Sequence, residues 1–230
     1  MKDDVKEQAE AKGWTRWMTL SLVALSLAFV SCERPDVKWL KEGKKAGETG
    51  KYQEALQAFD MALQANPRSA QAYQGKGYTL ELMGKPADAM QAFDSAIALK
   101  GDYPQPWLSK GMLYLKESRP EDATMAFTRA LQLEPDWDQA HYEMGLALDA
   151  TGRHGDAIHE FSSAIEMSPR VAASFFGRSR AYLAKGDTVH CLSDLKAALK
   201  LDPAYAAKAR TDSTLAPLSG NTDFERIVQK

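Results

Sequence analysis

The stretch Gly50–Pro67, GKYQEALQAFDMALQANP, decides the fold. Its apolar residues return every three or four positions, the period of an amphipathic helix, and Asn66-Pro67 closes it. The decisive feature is that the stretch recurs. Ala55 and Phe59 are followed, at a stride of about 34 residues, by Ala89 and Phe93, Ala123 and Phe127, Ala157 and Phe161, then Cys191 and Leu195. Ala62, Ala96, Ala130, Ala164 and Ala198 keep the same stride, and Pro67, Gly101, Pro135, Pro169 and Pro203 end each copy. No residue is inserted or lost across the five copies.

The earlier half of each copy keeps step as well. Trp39, Tyr73, Trp107, His141 and Phe175 form a mostly aromatic column. Gly43, Gly77, Gly111, Gly145 and Ser179 follow it, and Ala46, Leu80, Tyr114, Leu148 and Tyr182 come next. Between the halves a turn recurs as TGKY, MGKP, ESRP, TGRH and KGDT. Each copy therefore predicts a helix, a turn in which Gly takes a left-handed conformation, and a second helix that Pro terminates. In the second helix the two alanines and the Phe share one face. Small residues there admit the first helix closely, and the Phe fills the space between neighbouring copies. A Gly inside the first helix costs about 1 kcal/mol against Ala, so its repetition implies a close backbone approach that offsets the cost.

With the segments WLSKGMLY at Trp107 and AMQAF at Ala89, the pattern resembles the tetratricopeptide repeat, W-x2-L-G-x2-Y, then A-x3-F, then P. The resemblance covers Asp36 to Pro203. It implies an all-α, right-handed superhelical solenoid of five helix-turn-helix units, approximately 36–69, 70–103, 104–137, 138–171 and 172–205, with capping helices in 204–230. In that tail AYAAKARTDSTL reads as one helix, APLSGN as a turn, and TDFERIVQ as a last short helix capped by Asn221 or Thr222. The fifth copy, with Cys191, Leu195 and Ser179 in place of Ala, Phe and Gly, is expected to pack more loosely. Cys191 reads as a buried small residue, not a reactive thiol.

The N-terminus stands apart from the repeats. A leader with balanced charge precedes the apolar run Met18–Val30, which ends at Ser31-Cys32. A bilayer core takes about 20 residues to span, and the run is shorter, as in the apolar core of a secretory signal. FVSC resembles a bacterial lipobox, with Ser31 the small residue and Cys32 the lipidated one. Phe29 stands where that motif prefers Leu. The resemblance implies a lipoprotein signal over 1–31, a lipidated Cys32 with a short tether to residue 35, and attachment in the cell envelope facing the periplasm or exterior. A single uncleaved N-terminal membrane anchor is the alternative.

Composition excludes several functions. Lys and Arg number 29 against 31 Asp and Glu, so no excess positive charge asks for nucleic acid. His141, His154, His159 and His190 lack metal-pair spacing. No phosphate loop, nucleophile elbow or zinc-protease motif occurs, and no nucleophile is set beside a base. The expectation is a non-enzyme with no cofactor, no metal and no small-molecule substrate.

What remains is surface. A second stripe on each first helix, about a third of a turn from the packing columns, lies by family resemblance on the inner wall of the superhelix, where such proteins hold peptides or partner helices. It offers Lys44; Gln71, Gln74 and Tyr78; Gln105, Leu108 and Met112; Gln139, Tyr142 and Leu146; Phe176 and Arg180. Gln71, Gln105 and Gln139 occupy one repeated place, where an amide both donates to and accepts from a peptide backbone. Leu40, Lys44, Tyr78, Gln105 and Ser109 stand where some relatives clamp a terminal carboxylate, so that mode is not expected. The expected function is a lipid-anchored scaffold that binds a protein segment in this groove. A subunit of an envelope assembly, secretion or pilus machine is the alternative, and an enzyme accessory protein a more distant one.

Overall fold

A computed structural model describes residues 34–229. The leader, the apolar run and Cys32 lie outside the described residues. Five helix pairs follow one another: α1 (Pro35–Glu48) with α2 (Tyr52–Ala65), α3 (Ala70–Leu82) with α4 (Pro86–Leu99), α5 (Pro104–Lys116) with α6 (Pro120–Leu133), α7 (Asp138–Ala150) with α8 (His154–Met167), and α9 (Ala172–Ala184) with α10 (Thr188–Leu201). The tail adds α11 (Tyr205–Thr211), a 3-10 turn at Ala216–Leu218 and α12 (Thr222–Val228). The architecture is the all-α solenoid of five tetratricopeptide-like units expected from the repeat.

The columns pack as their chemistry requires. Ala55, Ala62, Ala89, Ala96, Ala123, Ala130, Ala157 and Ala198 are fully buried, as are Phe93, Phe127 and Phe161. The helix glycines face these rings. A Cβ on Gly111 would sit 2.3 Å from Cε1 of Phe127, and one on Gly145 2.7 Å from Cε1 of Phe161. The ring is thus seated in a notch that any side chain would fill. In the fifth unit Cys191, Leu195 and Ser179 are all fully buried, and the Ser179 hydroxyl donates to the Phe176 carbonyl at 2.8 Å. These substitutions therefore do not open that unit. Gly177 keeps a different close approach, its Cβ position 2.7 Å from the Phe161 ring of the preceding unit.

Adjoining units are tied by polar contacts as well. Lys76 reaches back to Asp60 at 2.7 Å, and Lys110 makes the equivalent contact with Asp94. In the fifth unit Arg178 forks onto Asp194 at 2.7 and 2.9 Å and donates to Ser162 at 2.9 Å. His141 sits between Glu160, at 2.6 Å, and the Pro135 carbonyl, at 2.9 Å, and His154 holds Asp149 at 2.7 Å.

The tail differs from the expected single helix. α11 stops at Thr211 because the Asp212 carboxylate accepts from the Thr214 amide at 2.8 Å, a local turn that competes with helix. Asn221 caps α12, accepting from Asp223 and Phe224. Gly220 (φ 82°) repeats the left-handed turn of Gly186 (φ 81°), and α12 begins where a sixth second helix would, counted from Thr188 by the same stride. The cap is thus a degenerate sixth unit. Its Phe224 and Val228 bury against the fifth together with Leu215 and Leu218.

Candidate functional site

Each first helix touches the first helix of the next unit: α1 with α3, α3 with α5, α5 with α7, and α7 with α9. Within the five units the second helices do not approach one another as closely. The layer of first helices is therefore the inner side of the curved stack, and the stripe lies along it. Three contacts bridge consecutive units on this wall. Gln74 Nε2 donates to Ser109 Oγ at 3.4 Å, Lys116 pairs with Glu81, and Arg180 lies 3.9 Å from Asp149.

The structure sorts the predicted groove residues into three groups. Lys44, Gln71, Tyr78 and Gln139 are exposed, and Gln74, Gln105, Met112 and Leu146 half-buried. Tyr78 is 51% exposed, a large aromatic surface left in water. The side-chain amides of Gln71, Gln105 and Gln139 make no hydrogen bond among the described residues. Tyr142 leans on Phe161, ring centres 5.9 Å apart, and burial pushes its hydroxyl up to about 12. It therefore stays neutral.

Two residues do not offer themselves. Leu108 is 6% exposed and belongs to the core between the third and fourth units. Phe176 is 9% exposed because Tyr205 of α11 lies against it, ring centres 5.0 Å apart. Arg180 is half-buried and engaged with the tail, 3.3 Å from Asp212 and 3.3 Å from the Thr214 hydroxyl. The chain's own tail therefore closes the distal end of the trough at the fifth unit, and the accessible wall runs from the first unit to the fourth.

Charged groups line this wall too, Glu81 and Asp149 on the stripe itself and Glu143 beside it. The Glu81 side chain is 7% exposed beneath Lys116, and that of Asp149 12% exposed between His154 and Arg180. Glu143 on α7 is half-buried, and burial raises its carboxyl above the ordinary range, with Lys116 partly opposing the shift. The signal for Glu143 was available in the repeat. It stands in a column with Lys41, Gly75, Ser109 and Gly177, where three of the other four residues are small. On the thiol side, Cys191 is fully buried and pushed up to about 12 by burial, so its thiol is sheltered and protonated.

The family model described as tetratricopeptide repeat matches residues 40–104, 108–172 and 142–206. Among solved structures, the "Crystal structure of MamA protein" is 23% identical with a TM-score of 0.64, covering 76% of this chain and 95% of that one. A MamA from Desulfovibrio magneticus RS-1 is 17% identical with a TM-score of 0.67, covering 76% and 98%. YrrB, described as a TPR protein with an unusual peptide-binding site, is 21% identical with a TM-score of 0.62, covering 79% and 90%. No curated protein matches the chain.

Proposed function

The chain belongs to the tetratricopeptide-repeat family, and from that premise we propose a non-catalytic scaffold that holds an extended segment of a partner protein along the wall formed by α1, α3, α5 and α7. The observation that carries this reading is the unpaired amide row of Gln71, Gln105 and Gln139 beside the exposed ring of Tyr78 and the half-buried Met112 and Tyr142. Amides at one repeated place match the regular spacing of peptide groups, and the apolar side chains supply contact area. A wall already rigid before binding lowers the ordering cost of the complex. YrrB, which shares the fold, is described as binding peptide, which supports the same use here. A lipid on Cys32 would hold the scaffold at a membrane of the bacterial cell envelope.

A second reading rests on the outer layer. Met125 on α6 is 65% exposed and Val189 on α10 is 77% exposed. Such side chains on second helices suit a subunit of a larger envelope assembly that docks through its outer face.

One experiment separates the two. A photo-crosslinking amino acid is placed at position 78 or at position 125 in the native cell. Crosslinks from 78 support the groove, and crosslinks confined to 125 replace it with the outer-face reading. Metabolic labelling with a fatty acid, lost in Cys32→Ser, is the outcome expected of the lipid anchor, and an unlabelled wild-type protein removes it.

A further inference from the structure

Position by position, Glu143 is an anomaly. Its equivalents in the second and fifth units are Gly75 and Gly177, whose Cβ positions would lie 2.4 Å and 2.7 Å from the Phe59 and Phe161 rings of the preceding unit. In the third unit it is Ser109, buried and accepting from Gln74. Where a first helix meets the preceding unit, this place is therefore tight, and in the second, third and fifth units a small residue fills it. The fourth unit puts a carboxylate into it.

That carboxylate has no hydrogen bond and no ion pair among the described residues. Lys116 of α5 is the cation whose field it feels, but Lys116 is paired with Glu81 of α3. Its neighbour Tyr142 leans on Phe161 and is neutral. The other carboxylates of the wall are all held: Glu81 by Lys116, Asp149 by His154 and Arg180, and Asp212 by Arg180. A half-buried charge without a partner is unfavourable in the free protein. The cost is removed when a cation arrives, and a charge-assisted hydrogen bond in such a place is among the stronger ones.

We infer that Glu143 is the receptor for a basic side chain, Lys or Arg, of the segment bound in the groove, with Tyr78 and Met112 contacting apolar residues on its proximal side. This rests on the groove reading and adds to it the chemistry of the occupant. The partner is an extended protein segment with a positive charge at one fixed place, and its register is set where the small-residue slot gives way to Glu143.

The test is selection from a displayed library of random twelve-residue peptides against the purified full-length protein, in parallel for wild type, Glu143→Gln and Tyr78→Ala. The glutamine variant keeps the shape of the site and removes a charge that burial opposes, so its fold is secure, and circular dichroism verifies it. The expected result is enrichment of Lys or Arg at one position with wild type, absent with Glu143→Gln. Synthetic versions of the selected peptides should bind the variant at least about tenfold more weakly, and replacing the basic residue by norleucine should cost wild type as much and the variant almost nothing. Peptides that depend on Tyr78 but show the same residue preference with Glu143→Gln overturn the role of Glu143 and leave the groove standing. Failure to select any Tyr78-dependent peptide overturns the groove reading and this inference with it.

Discussion

A single atom decides several positions. A Cβ on Gly111 would stand 2.3 Å from Phe127, well inside contact distance, and the ring has no room to retreat because Phe127 is fully buried. Gly111→Ala should therefore destabilise the protein by roughly 1–3 kcal/mol, an overpacking cost that exceeds the gain in helix propensity. Gly47→Ala, whose nearest neighbour is Ala55 Cβ at 4.0 Å, should instead stabilise by up to about 1 kcal/mol. Urea denaturation of the two variants measures both signs. Glu143 gives a third residue-scale prediction through pH. Burial raises its folded-state pKa above the ordinary value of 4.5, so the folded state binds the proton more tightly than the unfolded chain does. The stability it contributes is full below the unfolded value and is lost as pH rises through the folded one. Glu143→Gln should melt higher than wild type at pH 7, and the difference should shrink towards zero as pH falls below about 4.5. An equal melting difference at both ends of the range would show that burial of the charge is not its cause.

At the scale of elements, the helix pairs were legible because their packing repeats. Ala, Phe and Gly at fixed stride report the same ring-in-notch contact in four units, and the stripe follows from helical geometry. The tail was less legible. Its last helix carries Glu225 where the repeat places Ala, so the period shows only in Gly220. Its first helix ends early because Asp212 bonds the Thr214 amide at 2.8 Å, a local preference that an apolar pattern does not reveal. The site was legible to the same degree. Gln71, Gln105, Gln139 and Tyr78 belong to helices whose inner face is open, whereas Phe176 faces Tyr205, a contact across elements that no spacing within one unit discloses. Asp212 joins these facts, since it ends α11 and also stands 3.3 Å from Arg180. Asp212→Ala removes both contacts and leaves Arg180 with Asp149 at 3.9 Å and the Thr214 hydroxyl at 3.3 Å. The expected loss is about 1–2 kcal/mol, concentrated in the tail. Hydrogen exchange should quicken over Tyr205–Thr211 while α3 and α5 keep their protection, and uniform quickening would mean that the tail is not an independent element.

The whole molecule behaves as a line of neighbours. Each pair packs on the next, so stability is approximately a sum of unit terms and interface terms. Both ends need a cover, because a terminal unit has no further pair to hide its apolar face. At the distal end the cover is the degenerate sixth unit, whose Ala209, Leu215, Leu218, Phe224 and Val228 share one core with Phe176, Cys191, Leu195 and Ala198. Removing residues from Tyr205 onward would strip that cover and expose the fifth unit, with consequences that decline along the line. Cys191 is the natural reporter. In the intact chain it is fully buried and its thiol is pushed up to about 12 by burial, so it should resist a thiol reagent until the protein unfolds. In the truncated chain the fifth unit should fray while the first four stay folded. Cys191 should then label under native conditions, and melting should separate into an early step for the end and a later one for the rest. Phe176 would be uncovered by the same change, lengthening the open wall by one unit. Labelling of the truncated protein as slow as that of the intact one would mean that the fifth unit holds itself closed, and the tail would then serve the trough and not the core.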